Sequence, residues 1–471
     1  MKKLRKDIRV QEKMPENWLL ASTINLCICT DLPLEDYKGG IDRIINLAKS
    51  VSKHKVNVYL IDRSLKKSLS SLFIDSDKYY QIKNGVVEER HYPLHIKFLF
   101  AGSTKLAQEV LNEIASLVTF SSLSEVGVCN LLDPHLIVKL LFVCKKERID
   151  LIQCEFPVTA LSSFIVKRLL NVPLIYDAHN IETERIGTMA NISRTYTAMT
   201  RLIEKTSCII CDSIFVVSER DKEQLTSWGI PEHKIEVVPN SVEPNRFSTA
   251  LDRSIIRNRY KLHGKFVMIF HGVLDYPPNE EATRILANSV LPNILKKYPN
   301  AYLLLVGRNP PKISSANVIV TGFVENLPEH IAAADIALVP LLKGGGTRIK
   351  ILEYMASGKP VVSTLKGAEG LNLQNGKDIL MTKNPDSKFI DLVFKLIEDS
   401  DLRRNIGTNA RKTVELFYNW EETAQKAVQV YGKLVCAHGK KTMKEQSNLS
   451  GTRGLSNTLT SEKAGQMLID K

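Results

Sequence analysis

The sequence predicts an α/β protein made of two doubly wound domains that face each other across a cleft. Three observations lead to this prediction. The chain has 471 residues, which is too many for one ordinary hydrophobic core. Short apolar runs alternate with amphipathic helical stretches, a pattern typical of parallel sheets covered by helices on both faces. The alternation breaks in the turn-rich stretch Val238–Arg246 and then starts again.

The segment before this break supplies the first predicted sheet. Its expected helices include Ile41–Ser52, Leu106–Leu117 and Thr195–Ser207. Its expected strands are Ile24–Cys29, Val56–Ile61, Ile96–Phe100, Ile149–Cys154, Leu174–Asp177, Ser213–Ser218 and Ile235–Val238. Because parallel strands end at the same edge of a sheet, residues that follow them are expected to meet there and line the cleft.

The segment after the break repeats this architecture. Its expected strands are Phe266–Phe270, Tyr302–Gly307, Val318–Gly322, Asp335–Pro340, Pro360–Thr364 and Asp378–Met381. An amphipathic helix is then expected over Trp420–Val435. The predicted divisions are a basic arm (1–22), a first domain on the acceptor side (23–248), a second domain on the donor side (249–418), a crossover helix (419–436) and a disordered tail (437–471).

The composition indicates a globular protein, with 44% hydrophobic and 24% charged residues. Its formal net charge of +13 favours acidic partners such as phosphates or anionic lipid surfaces. Part of this charge lies in Met1–Lys13, which has six basic and two acidic residues. Such an arm is either solvated or a weak contact with an anionic membrane. Since no apolar run reaches about 18 residues, no membrane span is expected.

The eight cysteines are scattered along the chain. Cys208 and Cys211 have metal-like spacing, but no second pair stands nearby and the surrounding segment is largely apolar. We therefore interpret the cysteines as small core residues and expect no metal site. A reducing cytoplasm is consistent with this cysteine usage.

The most informative stretch is Val339–Thr364, with the sequence VPLLKGGGTRIKILEYMASGKPVVST. A strand, three glycines and a helix over Arg348–Ser357 follow one another, and Gly358 caps that helix. Glycines let a ligand approach the backbone closely, and the N–H groups and dipole of a helix start attract anions. The order strand, glycines, helix therefore predicts an anion site.

Charged residues around the start of this helix sharpen the prediction. Arg348 and Lys350 oppose the helix dipole there, which is explicable if an anion occupies the site. Glu353 lies three residues beyond Lys350, on the same helix face, where its carboxylate can accept from a ribose diol. The simpler alternative is a surface Lys–Glu pair beside a flexible loop.

Several stretches together resemble family 4 of the retaining GT-B glycosyltransferases, whose fold consists of two Rossmann-like domains. The resemblance runs from about Ile24 to Val435 and is most specific in Val339–Thr364. The supporting stretches, in family order, are Gly39–Gly40, Tyr176–Arg185 (YDAHNIETER), Val237–Phe247 (VVPNSVEPNRF), Phe270–Asn279 (FHGVLDYPPN), Leu303–Gly307 (LLLVG) and Thr321–Leu327 (TGFVENL).

The resemblance implies a nucleotide-sugar donor site. Glu353 matches the second glutamate of the family's Glu-x7-Glu motif, which holds the ribose. Arg348 and Lys350 would neutralise the diphosphate, and His179 matches a cleft histidine beside the transferred sugar. The remaining donor-binding residues that it implies are Gly39, Gly40, Gly344, Gly345, Gly346 and Thr347; His179 and Glu353 are the implied catalytic residues.

Two departures from the family pattern stand out. Gly345 occupies the position of the motif's first glutamate, so backbone N–H groups of the glycine loop would have to replace its contact to the sugar. The stretch after the first strand of the second domain, HGVLDYPPNEEA, also lacks the Arg and Lys that many members carry. Arg348 and Lys350 would then have to neutralise the charge of the diphosphate.

The implied reaction moves a hexose from a nucleotide diphosphate to a glycan or lipid-linked acceptor, with retention of configuration and without metal or other cofactor. The implied setting is cytoplasmic polysaccharide biosynthesis, peripheral to the membrane. Alternatives are a catalytically silent nucleotide-sugar binder, favoured by Gly345, and another GT-B enzyme such as a nucleotide-sugar epimerase. G-x-G-x-x-G after a strand and G-x-x-x-x-G-K-[ST] are both absent, which disfavours an oxidoreductase or an NTPase. No nucleic-acid-binding pattern occurs.

Overall fold

The computed structural model describes residues 22–32, 39–62, 78–93, 96, 99, 132–187, 192–248, 251–313 and 315–439. Within these residues the chain forms two α/β units, each built on its own sheet. The predicted fold class, two doubly wound domains of GT-B type, is therefore confirmed. The exact domain boundaries stay predictions.

The first sheet has eight strands in the order β4-β3-β2-β1-β5-β6-β7-β8. Their bounds are β1 Ile24–Thr30, β2 Val56–Asp62, β3 Lys78–Lys83, β4 Val86–His91, β5 Leu151–Glu155, β6 Leu174–Ala178, β7 Ser213–Val216 and β8 Ile235–Val237. The six strands other than β3 and β4 pair in parallel. The carboxyl ends of β1, β5 and β6 therefore lie side by side.

The edge of this sheet differs from the prediction. Strands β3 and β4 form an antiparallel hairpin that extends β2, around a turn at Asn84–Gly85 where both residues have positive φ. An Asn-Gly pair is a strong hairpin signal, but the exposed and charged strand β4 has little apolar patterning. The strand predicted over Ile96–Phe100 is wrong at its described residues, because Ile96 and Leu99 are helical. The predicted helix Leu106–Leu117 lies outside the described residues.

The second sheet has six parallel strands in the order β11-β10-β9-β12-β13-β14. Their bounds are β9 Phe266–His271, β10 Ala301–Val306, β11 Val318–Val320, β12 Ile336–Val339, β13 Val361–Thr364 and β14 Leu380–Thr382. All six overlap strands that the sequence predicts. Strands buried on both faces read as continuous apolar runs, which made them easy to find.

Helices cover both sheets. In the first unit they are Gly39–Val51, Pro134–Lys146, Pro157–Leu170, Glu182–Gly187, Arg194–Ile210 and Glu219–Ser227. In the second they are Ser254–Arg259, Pro277–Ile285, Leu291–Leu295, Leu327–Ala333, Ile349–Ala356, Ser387–Glu398 and Ser400–Phe417. A π-helical turn, Leu286–Val290, joins the second and third of these.

A last helix, residues 420–439, returns from the second unit to the first, and we call it the return helix. Its Trp420 and Tyr431 are buried in one cluster with Leu26, Ile28 and Phe215 of the first sheet. The predicted crossover is thus confirmed. Residues 437–439, predicted to begin a disordered tail, still belong to this helix; the rest of that tail and nearly all of the basic arm lie outside the described residues.

Candidate active site

A cavity of about 490 Å³ opens between the carboxyl ends of the two sheets. Its walls come from both units, as expected for a cleft between two doubly wound domains. The predicted site residues that line it are Gly40, His179, Gly345, Gly346 and Thr347. Gly39 is the first residue of the helix that carries Gly40.

His179 follows β6 and is buried, with its ring held on two sides. Its Nε2 lies 2.6 Å from a carboxylate oxygen of Glu155, the last residue of β5. The ring of Phe156 packs beside it, with centroids 4.4 Å apart. Burial lowers the pKa of His179 to about 4 and raises the pKa of Glu155 to about 7. Burial therefore favours the neutral form of both groups.

A second buried pair supports the same wall. Arg43, on the helix that begins at Gly39, donates to both carboxylate oxygens of Asp177 on β6. Its remaining N–H groups donate to the carbonyls of Val238 and Pro239 and to the side-chain oxygen of Asn240. The bidentate pair ties helix, sheet and the turn after β8 into one rigid frame.

This frame extends into the second unit. Nδ2 of Asn240 donates to Oγ1 of Thr347, 2.7 Å away in the loop before the helix Ile349–Ala356. Arg220 forms ion pairs with Glu184 of the first unit and Glu369 of the second. Hydrogen bonds and ion pairs therefore cross the cleft beside the cavity.

The loop Gly344–Gly346 approaches the first unit closely. Gly344 and Gly346 have φ of +108° and +66°, so the expectation of at least one positive φ in the loop is confirmed. A Cβ on Gly345 would lie 3.1 Å from Cβ of Arg185, and one on Gly346 would lie 3.3 Å from the carbonyl oxygen of His179. A side chain on either glycine would force the opposite wall to move by a few tenths of an ångström.

Arg348 lies differently from the sequence prediction. It is the N-cap of the helix Ile349–Ala356, with extended backbone, and not part of its first turn. Its guanidinium donates to the carbonyls of Gly345 and Gly346 and thereby closes the glycine loop on itself. Arg348 therefore holds the loop as well as adding positive charge.

Lys350 is a cation with little solvation. Its Nζ donates to Oδ1 of Asn279 at 2.8 Å and lies 4.1 Å above the ring of Phe270. Burial lowers the pKa of Lys350 to about 7; Arg348 acts in the same direction and Glu353 opposes it. Gly272 leaves room for this amine, since a Cβ there would lie 3.1 Å from Nζ. An ammonium so poorly compensated is suited to an incoming anion.

Glu353 is held by His271, the last residue of β9. The Tyr354 hydroxyl accepts from the backbone N–H of His271 and lies 2.8 Å from His271 Nδ1, so its own proton points to Nδ1. Nδ1 is then an acceptor, and His271 Nε2–H donates to a carboxylate oxygen of Glu353 at 2.8 Å. Among the described residues, the second carboxylate oxygen of Glu353 has no hydrogen-bond partner.

Glu155, Asp177 and His179 have ligand atoms within 4.8 Å of one another, as a metal site would require. Yet Arg43 occupies both Asp177 oxygens, and Glu155 and His179 bond to each other. A cation here would lie beside a buried guanidinium. The cluster is better described as two hydrogen-bonded pairs.

Sequence reasoning missed several residues that shape the site. They are Arg43, Gln153, Glu155, Asn240, Asn279 and Tyr431, to which the sequence assigns no site role; it leaves His271 open between the cleft and the core. A signal existed for two of them: Gln153 and Glu155 alternate at the end of an otherwise apolar buried strand, so they share one face. Polar residues at the carboxyl end of a buried parallel strand point to a site.

Comparison with known proteins bears on this geometry. A family model described as Glycosyltransferase Family 4 matches residues 98–246, and one described as Glycosyl transferases group 1 matches residues 265–399. Together they span most of both α/β units. Among the described residues, no helix is long and apolar enough to cross a membrane.

Two individual relatives are also glycosyltransferases by name. An uncharacterised glycosyltransferase of Methanocaldococcus jannaschii is 26% identical over 329 residues, which are 63% of this chain and 81% of that protein. The D-inositol 3-phosphate glycosyltransferase of Corynebacterium jeikeium is 23% identical over 318 residues, 63% of this chain and 75% of that protein. The crystal structure of Anabaena HepE in complex with UDP has the same fold, with a TM-score of 0.59 at 16% identity, covering 88% of this chain and all of that one.

Proposed function

Because this chain belongs to the group 1, family 4 glycosyltransferases, we propose that it moves a hexose from a nucleoside diphosphate to a glycan or lipid-linked acceptor with retention of configuration. Lys350 carries this proposal. It is a half-buried amine that contacts one neutral amide oxygen and one aromatic face, and Glu353 is the acidic group that favours its charged form. Such a group is costly without an anion and well placed to receive a diphosphate.

The donor is assigned to the second unit's side of the cleft. The diphosphate lies against Lys350 and the N–H groups of Gly344–Gly346, with Arg348 bracing the loop. The ribose diol donates to the free oxygen of Glu353. HepE, which has the same fold, was crystallised with UDP, so UDP is the first nucleoside diphosphate to test.

The reacting sugar is assigned to the cavity that His179, Gly345 and Gly346 line. Catalysis requires the leaving diphosphate to be stabilised as negative charge develops on it. Lys350 and the loop N–H groups supply that stabilisation, and the closed walls orient the acceptor hydroxyl. That hydroxyl passes its proton to the leaving phosphate oxygen on the same face of the sugar. No protein nucleophile is assigned.

We propose that no resident metal or cofactor is needed, because the positive charge for the diphosphate comes from Lys350 and Arg348. Transfer should then be unaffected by EDTA. A requirement for added Mg²⁺ or Mn²⁺ would contradict this part of the proposal.

The experiment has two stages. A thermal-shift screen of UDP-, GDP- and dTDP-sugars identifies the donor, since a ligand at about 100 times its Kd adds roughly 2.7 kcal/mol of stability. The radiolabelled donor is then incubated with lipid and glycan extracts, and NMR of the product gives the anomeric configuration. Binding without any transfer would favour a silent nucleotide-sugar binder; free sugar without acceptor would favour an epimerase.

The basic arm suggests where the acceptor is met. We propose that Met1–Lys13 adds weak binding to anionic membrane surfaces, at roughly 1 kcal/mol for each basic residue close to the surface. Removing these residues should reduce sedimentation with anionic vesicles and leave transfer to a soluble acceptor unchanged. Equal sedimentation of both proteins at low salt would argue against membrane contact.

A further inference from the structure

A line of buried polar side chains connects the return helix to His179. The hydroxyl of Tyr431, on the return helix, lies 2.7 Å from the side-chain oxygen of Gln153. Nε2 of Gln153 donates to one carboxylate oxygen of Glu155 at 2.7 Å, and the other oxygen lies 2.6 Å from Nε2 of His179. All four side chains are buried. The line ends at the cavity wall.

The hydrogen-bond roles along this line are fixed from its far end. Tyr431 donates its single proton to the oxygen of Gln153, which settles the orientation of the Gln153 amide. The amide nitrogen must then face Glu155 and occupies one of its oxygens. Only the second oxygen is left for His179. Tyr431 and Gln153 thus determine which carboxylate oxygen of Glu155 contacts the imidazole.

Among the described residues, the other ring nitrogen of His179, Nδ1, has no hydrogen-bond partner, although it is buried. His179 lines the cavity, and a Cβ on Gly40 would lie 3.5 Å from Nδ1. A buried polar atom left open at a cavity wall is placed to bond a ligand. In the proposed function that ligand is a hydroxyl of the reacting sugar.

The backbone between Glu155 and the next helix is strained in support of this arrangement. Phe156 has φ of +63° and ψ of 153°, a region that is essentially restricted to glycine. This conformation brings the Phe156 ring against His179. Such strain persists only where the surroundings over-determine it, and here it fixes the imidazole plane.

We propose that Glu155, aligned by Gln153 and Tyr431, is a positioning residue that decides whether His179 Nδ1 donates or accepts a hydrogen bond. When Glu155 is protonated, it donates to Nε2, so the neutral ring carries its proton on Nδ1. When the pair loses one proton, the proton of Glu155 moves to Nε2 and the proton of Nδ1 is released to the cavity. Nδ1 is then an acceptor. The sugar contact rests on the proposed function; the proton placement does not.

The charged groups around the pair are consistent with such an exchange near neutral pH. Burial raises the pKa of Glu155 to about 7, with Asp31 acting in the same direction and Arg43 opposing it. Asp177 faces His179 but is paired with Arg43, and Glu182 at the start of the next helix also favours a charged ring. The Glu155–His179 pair therefore holds two protons below this pH and one proton above it.

The test uses full-length protein with ¹⁵N-labelled histidine rings and no donor. The His179 signals are assigned by their loss in His179→Gln. We expect the wild-type ring to change from the Nδ1–H tautomer at pH 6 to the Nε2–H tautomer at pH 8, without becoming an imidazolium. In Glu155→Gln the new amide donates to Nε2, so the ring should remain Nδ1–H throughout.

Tyr431→Phe provides a gentler variant that removes only the hydroxyl at the far end. It should shift the midpoint of the tautomer change measurably. Tyr418→Phe is the matched control, because the buried Tyr418 hydroxyl bonds the backbone N–H of Asn372 in the second unit. An unchanged His179 titration in both Glu155→Gln and Tyr431→Phe would overturn the proposal.

Transfer kinetics give the second readout. If the positioning matters for the reaction, kcat of the wild type should change with pH near 7, whereas Glu155→Gln should lose this inflection with little change in the KM for donor. Because the ring spectra need no substrate, a protein without transferase activity but with the expected tautomers would remove the proposed function and leave this inference intact.

Discussion

The two sides of the cleft differ in how their polar groups are paired. On the first wall, Arg43 forms an ion pair with Asp177, and Glu155 and His179 share a hydrogen bond. One imidazole nitrogen is left to face a ligand. In the second unit, Lys350 and Glu353 are not among the residues that line the cavity; Lys350 bonds the neutral side chain of Asn279, one oxygen of Glu353 bonds His271, and the loop Gly344–Gly346 precedes their helix. Under the proposed function, the first unit places a single atom and the second receives charge.

The largest effect is expected when the amine of Lys350 is removed. Lys350→Met should weaken nucleotide-sugar binding by about 1.5–3 kcal/mol, the range for charge-assisted hydrogen bonds, measured by calorimetric titration. Lys343→Met is the matched control, because Lys343 is an exposed cation of the same loop region paired with Glu281. Wild-type affinity in Lys350→Met would remove Lys350 from the donor site.

The fit between the walls is tested at Gly345. A side chain there would press against Arg185, and crowding of this kind costs about 1–3 kcal/mol. Gly345→Glu restores the family sequence but adds an anion near the diphosphate, so we expect turnover to fall roughly tenfold, since about 1.4 kcal/mol is a factor of ten. The melting temperature should move by about 2 °C or less.

Gly187→Ala serves as the control for this change, since a Cβ at Gly187 meets no atom within 4 Å. Its turnover should match the wild type. A gain of turnover in Gly345→Glu would instead indicate an enzyme that has lost a catalytic contact.

Donor binding should also depend on pH, because the amine of Lys350 titrates. The pKa of Lys350 is about 7 in the empty site, and a bound diphosphate raises it. Binding then takes up a proton above pH 7, so affinity is full below that pH and falls by up to about tenfold per unit above it. Titrations between pH 6.5 and 8.5 should show this slope in the wild type and none in Lys350→Arg. A flat wild-type profile would contradict the assigned titration.

A smaller effect is expected at Glu353. Glu353→Gln keeps the bond to His271 but replaces a charged acceptor of the ribose with a neutral one. Affinity for the nucleoside diphosphate itself should fall by about 1 kcal/mol. Exposed Glu325→Gln is the control. If only transfer were impaired, while nucleoside diphosphate binding stayed unchanged, Glu353 would belong elsewhere in the site.

The sequence by itself determined the architecture and the position of the glycine loop. Continuous apolar runs identified twelve of the fourteen strands in the described residues, because burial on both faces leaves a strong local pattern. Gly344–Gly346, Lys350 and Glu353 stood out because glycines, cations and a carboxylate follow a strand within a dozen residues. The roles predicted for them stay predictions.

Tertiary structure decided what the site residues contact. Arg348 lies outside the helical turn in which it was expected. Its guanidinium donates to the carbonyls of Gly345 and Gly346, a contact that no local sequence pattern predicts. His179 bonds Glu155, which lies 24 residues away in the sequence, and Gln153 bonds Tyr431, which lies 278 residues away. Their hydrogen bonds exist because parallel strands place β5 beside β6 and the return helix packs on that sheet. Periodicity reports which face of an element is buried, but the partner across a core is fixed only when the sheets and helices have assembled.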